Sequence, residues 1–408
     1  MVMEIRPIFA SLRKHRIPAI LIVLEIALAC AVLCNAVFMI SRRVGDIRIP
    51  NAIDENGISV VWLKGTDPKL AASDIPRDLA ALRGIAGVQA AGVVSALPLS
   101  RDNWGWDFKL KSDTSVTDKG STNAALYFLG AGAEKALGLK LQQGRSFNAD
   151  DYADSTLGGA GLPSTHVVIV TNSLAKQVWP GKPPIGQMLY SNQNYYTVIG
   201  VVADVLRQQA SAHNTQRSYA TTFFPLQPDP ALGYYILRSA PQDRDRVVRE
   251  AEQKLAELNP DAVTEGMSYS NIRNNYFADI TSMVRMLLLV CVVMLAVTAF
   301  GIVGLTSFWV GQRRRQIGIR RAIGATRGDI LSYFCTENLL LTGMGVSLGM
   351  LLAFGINVYL MQHYEMDRMP WFYLPGGAVA LWLLGQLAVL GPALRAASVS
   401  PVVATRGA

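Results

Sequence analysis

The sequence predicts an α-helical membrane protein with four transmembrane helices and one large α+β domain outside the membrane, carried between the first and second helices. Three observations predict it. Four stretches are apolar enough and long enough to cross a bilayer, arginine and lysine gather on particular flanks of those stretches, and residues 41–281 read as alternating strands and helices without a cysteine.

Half of the 408 residues are hydrophobic and 17% are charged, whereas about a quarter of an ordinary soluble domain is charged. Crossing the hydrocarbon core takes roughly 20 mostly apolar residues. The first candidate, 17–40, contains a single charge, Glu25. It outlasts the h-region of a signal peptide and has no clean small-x-small cleavage site. Cys30 follows Ala27-Leu28-Ala29, a poor lipoprotein box, so the segment is read as an uncleaved helix. The second, 282–310, is uncharged from position 286 onward; the third, 330–361, has Glu337 near its start; the fourth, 372–394, has no charge. Lipid offers the backbone no hydrogen-bond partner, so each must be helical.

Basic residues orient these spans. Arg6, Arg13, Lys14 and Arg16 precede the first, and Arg313, Arg314, Arg315, Arg320, Arg321 and Arg327 lie between the second and third. Arg395 and Arg406 follow the fourth, while the connection 362–371 offsets Arg368 with Glu365 and Asp367. Segments 1–16, 311–329 and 395–408 are therefore expected in the cytoplasm and 41–281 outside, with Arg42 and Arg43 the dissenters. The net charge of +8 is then a topology signal and not a nucleic-acid footprint, which needs basic residues on a folded surface.

Cys30, Cys34, Cys291 and Cys335 all lie in or beside the apolar stretches, so the outer domain folds without disulfides. His15, His166, His213 and His363 are scattered, with no metal-ligand spacing. Gly181-Lys182 runs into Pro183, which rules out a phosphate loop. No Gly-x-Ser-x-Gly elbow or His-Glu-x-x-His helix occurs, so the chain is not expected to be an enzyme.

Within the outer domain, 58–63 reads as a strand, 75–82 as a helix and 87–94 as a strand, a β-α-β unit. A matching strand, 234–237, precedes a helix over 241–258. Between these split halves, 127–137 reads as helical, 167–170 as a buried strand, 173–179 as a short helix closed by Pro180-Gly181, and 195–202 as a strand. Residues 127–215 are read as an inserted subdomain and 155–164 as a mobile loop. The flanks 41–49 and 267–280 continue the membrane helices outward as a stalk, or serve as flexible linkers.

Glu25 and Glu337 are the acids within membrane segments, and such groups are functional suspects. Both lie near the basic boundary, so pairing with an arginine is the first expectation and a proton or substrate path the second. The densest pattern is 312–330. A positive-inside loop needs no ordered apolar residues, yet Ile317, Ile319 and Ile323 punctuate the arginines at near-helical spacing. That predicts a short helix on the membrane surface with one face free to dock on a protein.

Gln316-Ile317-Gly318-Ile319-Arg320-Arg321-Ala322-Ile323-Gly324-Ala325-Thr326 resembles the signature of MacB/FtsX-like ABC-transporter permeases. The likeness extends over nearly the whole chain. It includes Leu12-Arg13-Lys14-His15-Arg16, Leu137-Gly138-Leu139 through Gly144-Arg145-Ser146-Phe147, Trp179-Pro180-Gly181 through Ile185-Gly186, Val198-Ile199-Gly200-Val201-Val202 and Ser400-Pro401-Val402-Val403-Ala404. Gln316 stands where the family has Glu and Ser400 where it has Asp, which removes two negative charges from the cytoplasmic face.

The resemblance implies a bacterial inner-membrane permease whose periplasmic domain has a porter-like part (56–126 and 216–266), a sabre-like part (127–215) and stalk helices (41–50 and 267–281). It implies a separate ABC-type ATPase that binds ATP and Mg, with no cofactor in this chain. Also implied are a second permease subunit (the same chain or a paralogue), surrounding lipid and, in some members, a periplasmic adaptor and an outer-membrane channel. Arg314, Gln316, Ile317, Gly318, Arg320, Arg321, Ala322, Ile323, Gly324 and Ala325 are the expected ATPase-contacting residues. The expected action is mechanotransmission for export; the alternative is a signalling module that controls a cell-wall hydrolase or a sensor kinase.

Overall fold

The computed structural model describes residues 16–102, 104–111, 121–158, 161–191, 194–364 and 368–398. The lead-in 12–15, the tail 400–404, Glu365 and Asp367 lie outside that set. The chain forms two compact units, one of residues 45–280 and the other of residues before 45 and after 280.

In chain order, helix α1 (Arg16–Ile47) leads to β1 (Ile58–Lys64), α2 (Ala71–Arg83) and β2 (Ala90–Val94). Next come β3 (Gly105–Lys109), β4 (Ser121–Leu129), α3 (Ala133–Leu137), β5 (Leu141–Gly144) and α4 (Ala149–Ala153). Strand β6 (Val167–Thr171), α5 (Asn172–Val178), β7 (Met188–Tyr190), β8 (Tyr195–Val202), α6 (Thr215–Ser218) and β9 (Thr221–Pro225) follow. The outer unit finishes with β10 (Tyr234–Arg238), α7 (Arg244–Leu258), β11 (Val263–Ser268) and α8 (Tyr269–Tyr276).

The unit 45–280 has two sheet regions. In the first, β10 lies between β1 and β2, antiparallel to both, and β1 lies between β10 and β11, antiparallel to both. Two split β-α-β units thus interleave in the order β11-β1-β10-β2. Helix α2 buries Ile75, Leu79 and Leu82, and α7 buries Val247, Ala251 and Leu255, each a stripe at helical spacing. Both stripes share one core with Val61, Ala91, Val93 and Leu237. Within it the Asp78 carboxylate is fully buried and accepts hydrogen bonds from Tyr235 Oη (2.9 Å), Arg77 Nη2 (2.9 Å) and Asn259 Nδ2.

The second region closes on itself. Strand β4 pairs antiparallel with β3 and parallel with β9; β3 meets β7, β7 pairs with β8, β8 with β6, and β6 with β9. The six-strand ring leaves no open edge among its members. Phe108, Tyr196 and Phe224 occupy the buried core, with ring centroids 4.8 to 6.2 Å apart. Strand β2 joins β4 through the pair Val94 and Leu129.

Three sequence readings are corrected. Residues 127–129 end strand β4, and the helix expected over 127–137 is confined to 133–137. The run 124–129 is buried continuously between neighbours, and periodicity cannot separate such a strand from a buried helix. The ring also draws in β3, β9 and most of β4, which lie outside 127–215. Finally, 267–280 is not one helix: Met267 and Ser268 still pair with β1, and Ser268 Oγ caps α8 by accepting from Asn271 N–H. The buried Phe277 then breaks the chain before the next helix.

The remaining helices are α9 (Ala278–Gln312), α10 (Arg314–Ala322), α11 (Arg327–Tyr364) and α12 (Tyr373–Ala397). Among the described residues α1, α9, α11 and α12 are the four helices long and apolar enough to cross a membrane. Glycines set how closely they approach. A Cβ on Gly345 would lie 2.7 Å from Ile26 Cβ, one on Gly349 2.5 Å from Cys30 Cβ, and one on Gly377 2.5 Å from Cys34 Sγ. Gly345 and Gly349 thus form a small-xxx-small face against α1, where backbone proximity and dispersion replace the absent hydrophobic drive.

Replacing Gly349 with leucine should therefore separate α1 from α11. Unfolding of the detergent-solubilised chain, followed by reactivity of Cys30 with a maleimide, should show earlier labelling than in the parent. Unchanged labelling would contradict the close packing.

Candidate coupling surface

Helix α10 is separated from α9 by Arg313 alone. Its inward side carries Ile317 and Gly318, both buried, and the half-buried Arg321; Ala325, just past its end, is half-buried too. Arg321 Nη1 donates to Ala397 O (3.1 Å) at the end of α12, and Arg320 lies 5.1 Å over the Tyr333 ring. The opposite side presents Gln316, Ile319 and Ile323 at spacings of three and four, with Ile323 81% exposed. Arg314, Arg315, Ala322 and Gly324 are exposed around them.

Local chemistry ends the helix at this point. Gly324 adopts φ +108°, a region glycine enters without steric cost. The Ala325 and Gly324 N–H groups return to the Arg320 and Arg321 carbonyls, satisfying the helix end. Thr326 and Asp329 then exchange side-chain and backbone hydrogen bonds of 2.9 and 3.2 Å, a capping box that starts α11. Of the ten residues singled out in the sequence, Gln316, Ala322, Ile323 and Gly324 with Arg314 and Arg320 are solvent-accessible. Ile317 and Gly318 are buried and Arg321 and Ala325 half-buried; Ile317 joins the apolar core of the helices and Arg321 bonds to α12.

Arg313 anchors the arrangement. Its Nη1 contacts both Glu337 oxygens at 3.0 and 3.1 Å, its side chain is 12% exposed and that of Glu337 is 2% exposed. The guanidinium also lies 5.7 Å over Trp309. Glu337 thus pairs with a loop arginine as expected. Glu25 does not: its carboxylate lies against α9, where a Cβ on Gly301 would be 2.6 Å from both oxygens, and no described cation pairs with it.

The unit 45–280 gathers its two chain ends into a second cluster that the sequence did not announce. Asp46 Oδ1 accepts from Ser211 Oγ (2.9 Å) and Ala212 N–H (2.8 Å). Arg273 donates to Glu55 Oε1 (2.8 Å), Ile47 O (2.9 Å) and Ile49 O (2.6 Å), so a cation sits at the C-terminal end of α1. Arg101, with φ +67°, donates to Asp279 Oδ2 (2.9 Å) and Tyr276 O (3.3 Å). Ile49, Leu99, Leu206, Tyr219 and Phe277 form a small apolar core between these bonds. The residues span 46 to 279, so only the folded chain brings them together.

Removing one partner of the Arg313–Glu337 pair leaves an uncompensated buried charge, which costs about 3–5 kcal/mol. Arg313→Ala and Glu337→Ala should each lower the thermal midpoint sharply. Arg313→Ala combined with Glu337→Ala should cost less than the sum, and strict additivity would argue against the pairing.

Comparison with known proteins matches this layout. A family model described as the FtsX-like permease C-terminal region matches residues 288–401. Another, the MacB-like periplasmic core domain, matches residues 26–254, more than half of the chain. The sequence is 23% identical to the uncharacterized ABC transporter permease YknZ of Bacillus subtilis, over 99% of this chain and 98% of that protein. It is 27% identical to the macrolide export ATP-binding/permease protein MacB of Aggregatibacter actinomycetemcomitans, over 58% of this chain and 36% of that one. It is 28% identical to a MacB of Aeromonas hydrophila, over 71% and 45%. The chain therefore spans less than half the length of those two MacB relatives, and the part it covers is the permease portion. The periplasmic region of MacB from Actinobacillus actinomycetemcomitans matches 54% of this chain at 17% identity with a TM-score of 0.36. With four membrane-length helices, a MacB-like core domain and an FtsX-like C-terminal region in one sequence, the chain belongs to the MacB/FtsX-like ABC-transporter permeases.

Proposed function

We propose that the chain is a permease subunit that couples ATP hydrolysis in a separate ATPase to a change of shape in its periplasmic domain, for export of a substrate from the periplasmic side. The observation that carries this reading is the face of α10. Two isoleucines, Ile319 and Ile323, stand exposed among Arg314, Arg315 and Arg320, a combination that suits an acidic-rimmed apolar cleft on a protein partner.

The route of transmission is also supported. The inward side of α10 is tied to α11 and α12, and Arg313 joins α10 directly to α9, which is unbroken for 35 residues. At 1.5 Å per residue α9 is about 52 Å long, and its first residues belong to the cluster held by Arg101 and Arg273. ATP and magnesium would be bound by the partner ATPase. The interleaved region of β1, β2, β10 and β11 would be the porter part and the six-strand ring the sabre part. The protein would act in the inner membrane as a dimer, and an adaptor and outer-membrane channel would be needed where the product leaves the cell.

The test uses the two exposed isoleucines, because their replacement leaves the buried side of α10 intact. Ile319→Glu with Ile323→Glu should weaken association with the cognate ATPase by about 2 kcal/mol or more, roughly 30-fold in Kd. Stimulation of ATP hydrolysis in proteoliposomes should fall with it. Unchanged association with a folded variant would remove α10 from the interface, and the proposal with it.

A further inference from the structure

Arg207 presents an unusual charge. It follows β8 in the periplasmic unit and is 5% exposed, although arginine is almost never buried unless paired. Its Nη1 and Nη2 both donate to one atom, Asn123 Oδ1, at 3.3 Å. The Asn123 amide is turned that way because its Nδ2 donates to Asp107 Oδ1 (2.9 Å). A guanidinium has five N–H donors, so most of this one's are unspent. Among the described residues no acid pairs with it, and its side chain makes no further bond.

Its electrostatic surroundings sharpen the point. Burial, and next the positive charge of Arg217, push the Arg207 guanidinium below its ordinary pKa. The fold thus places a second cation within reach of the first where a carboxylate would be the stabilising choice. Gly105 lets the guanidinium approach bare backbone on another side, since a Cβ there would stand only 3.2 Å from Arg207 Nη2. A buried cation held by one neutral amide oxygen is destabilising unless something compensates it.

We propose that Arg207, with Arg217 beside it, forms an oxyanion-binding site in the periplasmic domain. The guanidinium takes the group through paired charge-assisted hydrogen bonds, Arg217 adds attraction from the solvent side, and Asn123 fixes the orientation of the fork. A phosphate group has the charge and acceptor geometry for it. Free inorganic phosphate and the phosphate of a glycerol-phosphate headgroup share that chemistry.

The purified full-length chain in detergent distinguishes these sources. It is titrated calorimetrically with inorganic phosphate and, separately, with glycerol 3-phosphate, and its thermal midpoint is followed at ionic strength matched with chloride. A saturable rise of the midpoint is expected, with the tighter of the two anions naming the source. Arg207→Gln should weaken binding about tenfold or more, and Arg217→Gln should weaken it less. Absence of saturable binding of both anions to the parent chain overturns the site. So does a folded Arg207→Gln that binds as the parent does. If Arg207→Gln fails to fold, Arg217→Gln decides on its own, because Arg217 is exposed; unaltered affinity there overturns the two-cation arrangement.

Discussion

The Arg313–Glu337 pair organises the basic end of the membrane unit. Two charges removed from water are tolerable only together, and here both carboxylate oxygens face one guanidinium nitrogen while the guanidinium plane also meets Trp309. The pair joins the residue after α9 to the third turn of α11. With those two points held, α10 has little choice of direction. Its buried side must be Ile317 and Gly318, its Arg321 must reach the α12 carbonyl, and its remaining side must face outward. The exposed isoleucines are therefore a consequence of the ion pair as much as of their own positions in the sequence.

Packing among the long helices follows a different rule. Lipid is as apolar as leucine, so no hydrophobic gain draws one helix to another. Close approach has to be built, and Gly345, Gly349 and Gly377 build it by leaving room for Ile26, Cys30 and Cys34. The same logic places Glu25 against the bare backbone of Gly301. In the periplasmic unit water restores the hydrophobic drive, and the solution there is a layered one: two amphipathic helices on an interleaved sheet, and aromatic side chains inside a ring of strands. The ring and the sheet share β4, so the apolar residues of this strand are buried on both faces.

That burial explains the principal misreading. The run ending at Leu129 has no alternation to betray a strand, and Leu137 lies close enough to suggest a single helix. Glycine at 130 and 132, the latter with φ +90°, marks the boundary that hydrophobicity hides. The failed helix over 267–280 has a similar origin. Propensity favoured one element, whereas the pairing of Met267 and Ser268 with β1 and the burial of Phe277 demanded three.

What the sequence by itself determined was whatever depends on local composition. The four membrane spans, their orientation, the cysteine-free outer domain, the split β-α-β halves and the arginine–isoleucine segment all follow from solvent preference and period along the chain. Tertiary structure decided every feature that requires distant residues to meet. It chose Arg313 out of six loop arginines for Glu337 and set no described cation against Glu25. It turned Ile317 inward and Ile323 outward, closed the six-strand ring, gathered Asp46, Arg101 and Arg273 into one cluster, and gave Arg207 an amide oxygen as its side-chain partner. Period and charge record which solvent a residue prefers; which neighbour it meets is settled only when the chain has folded.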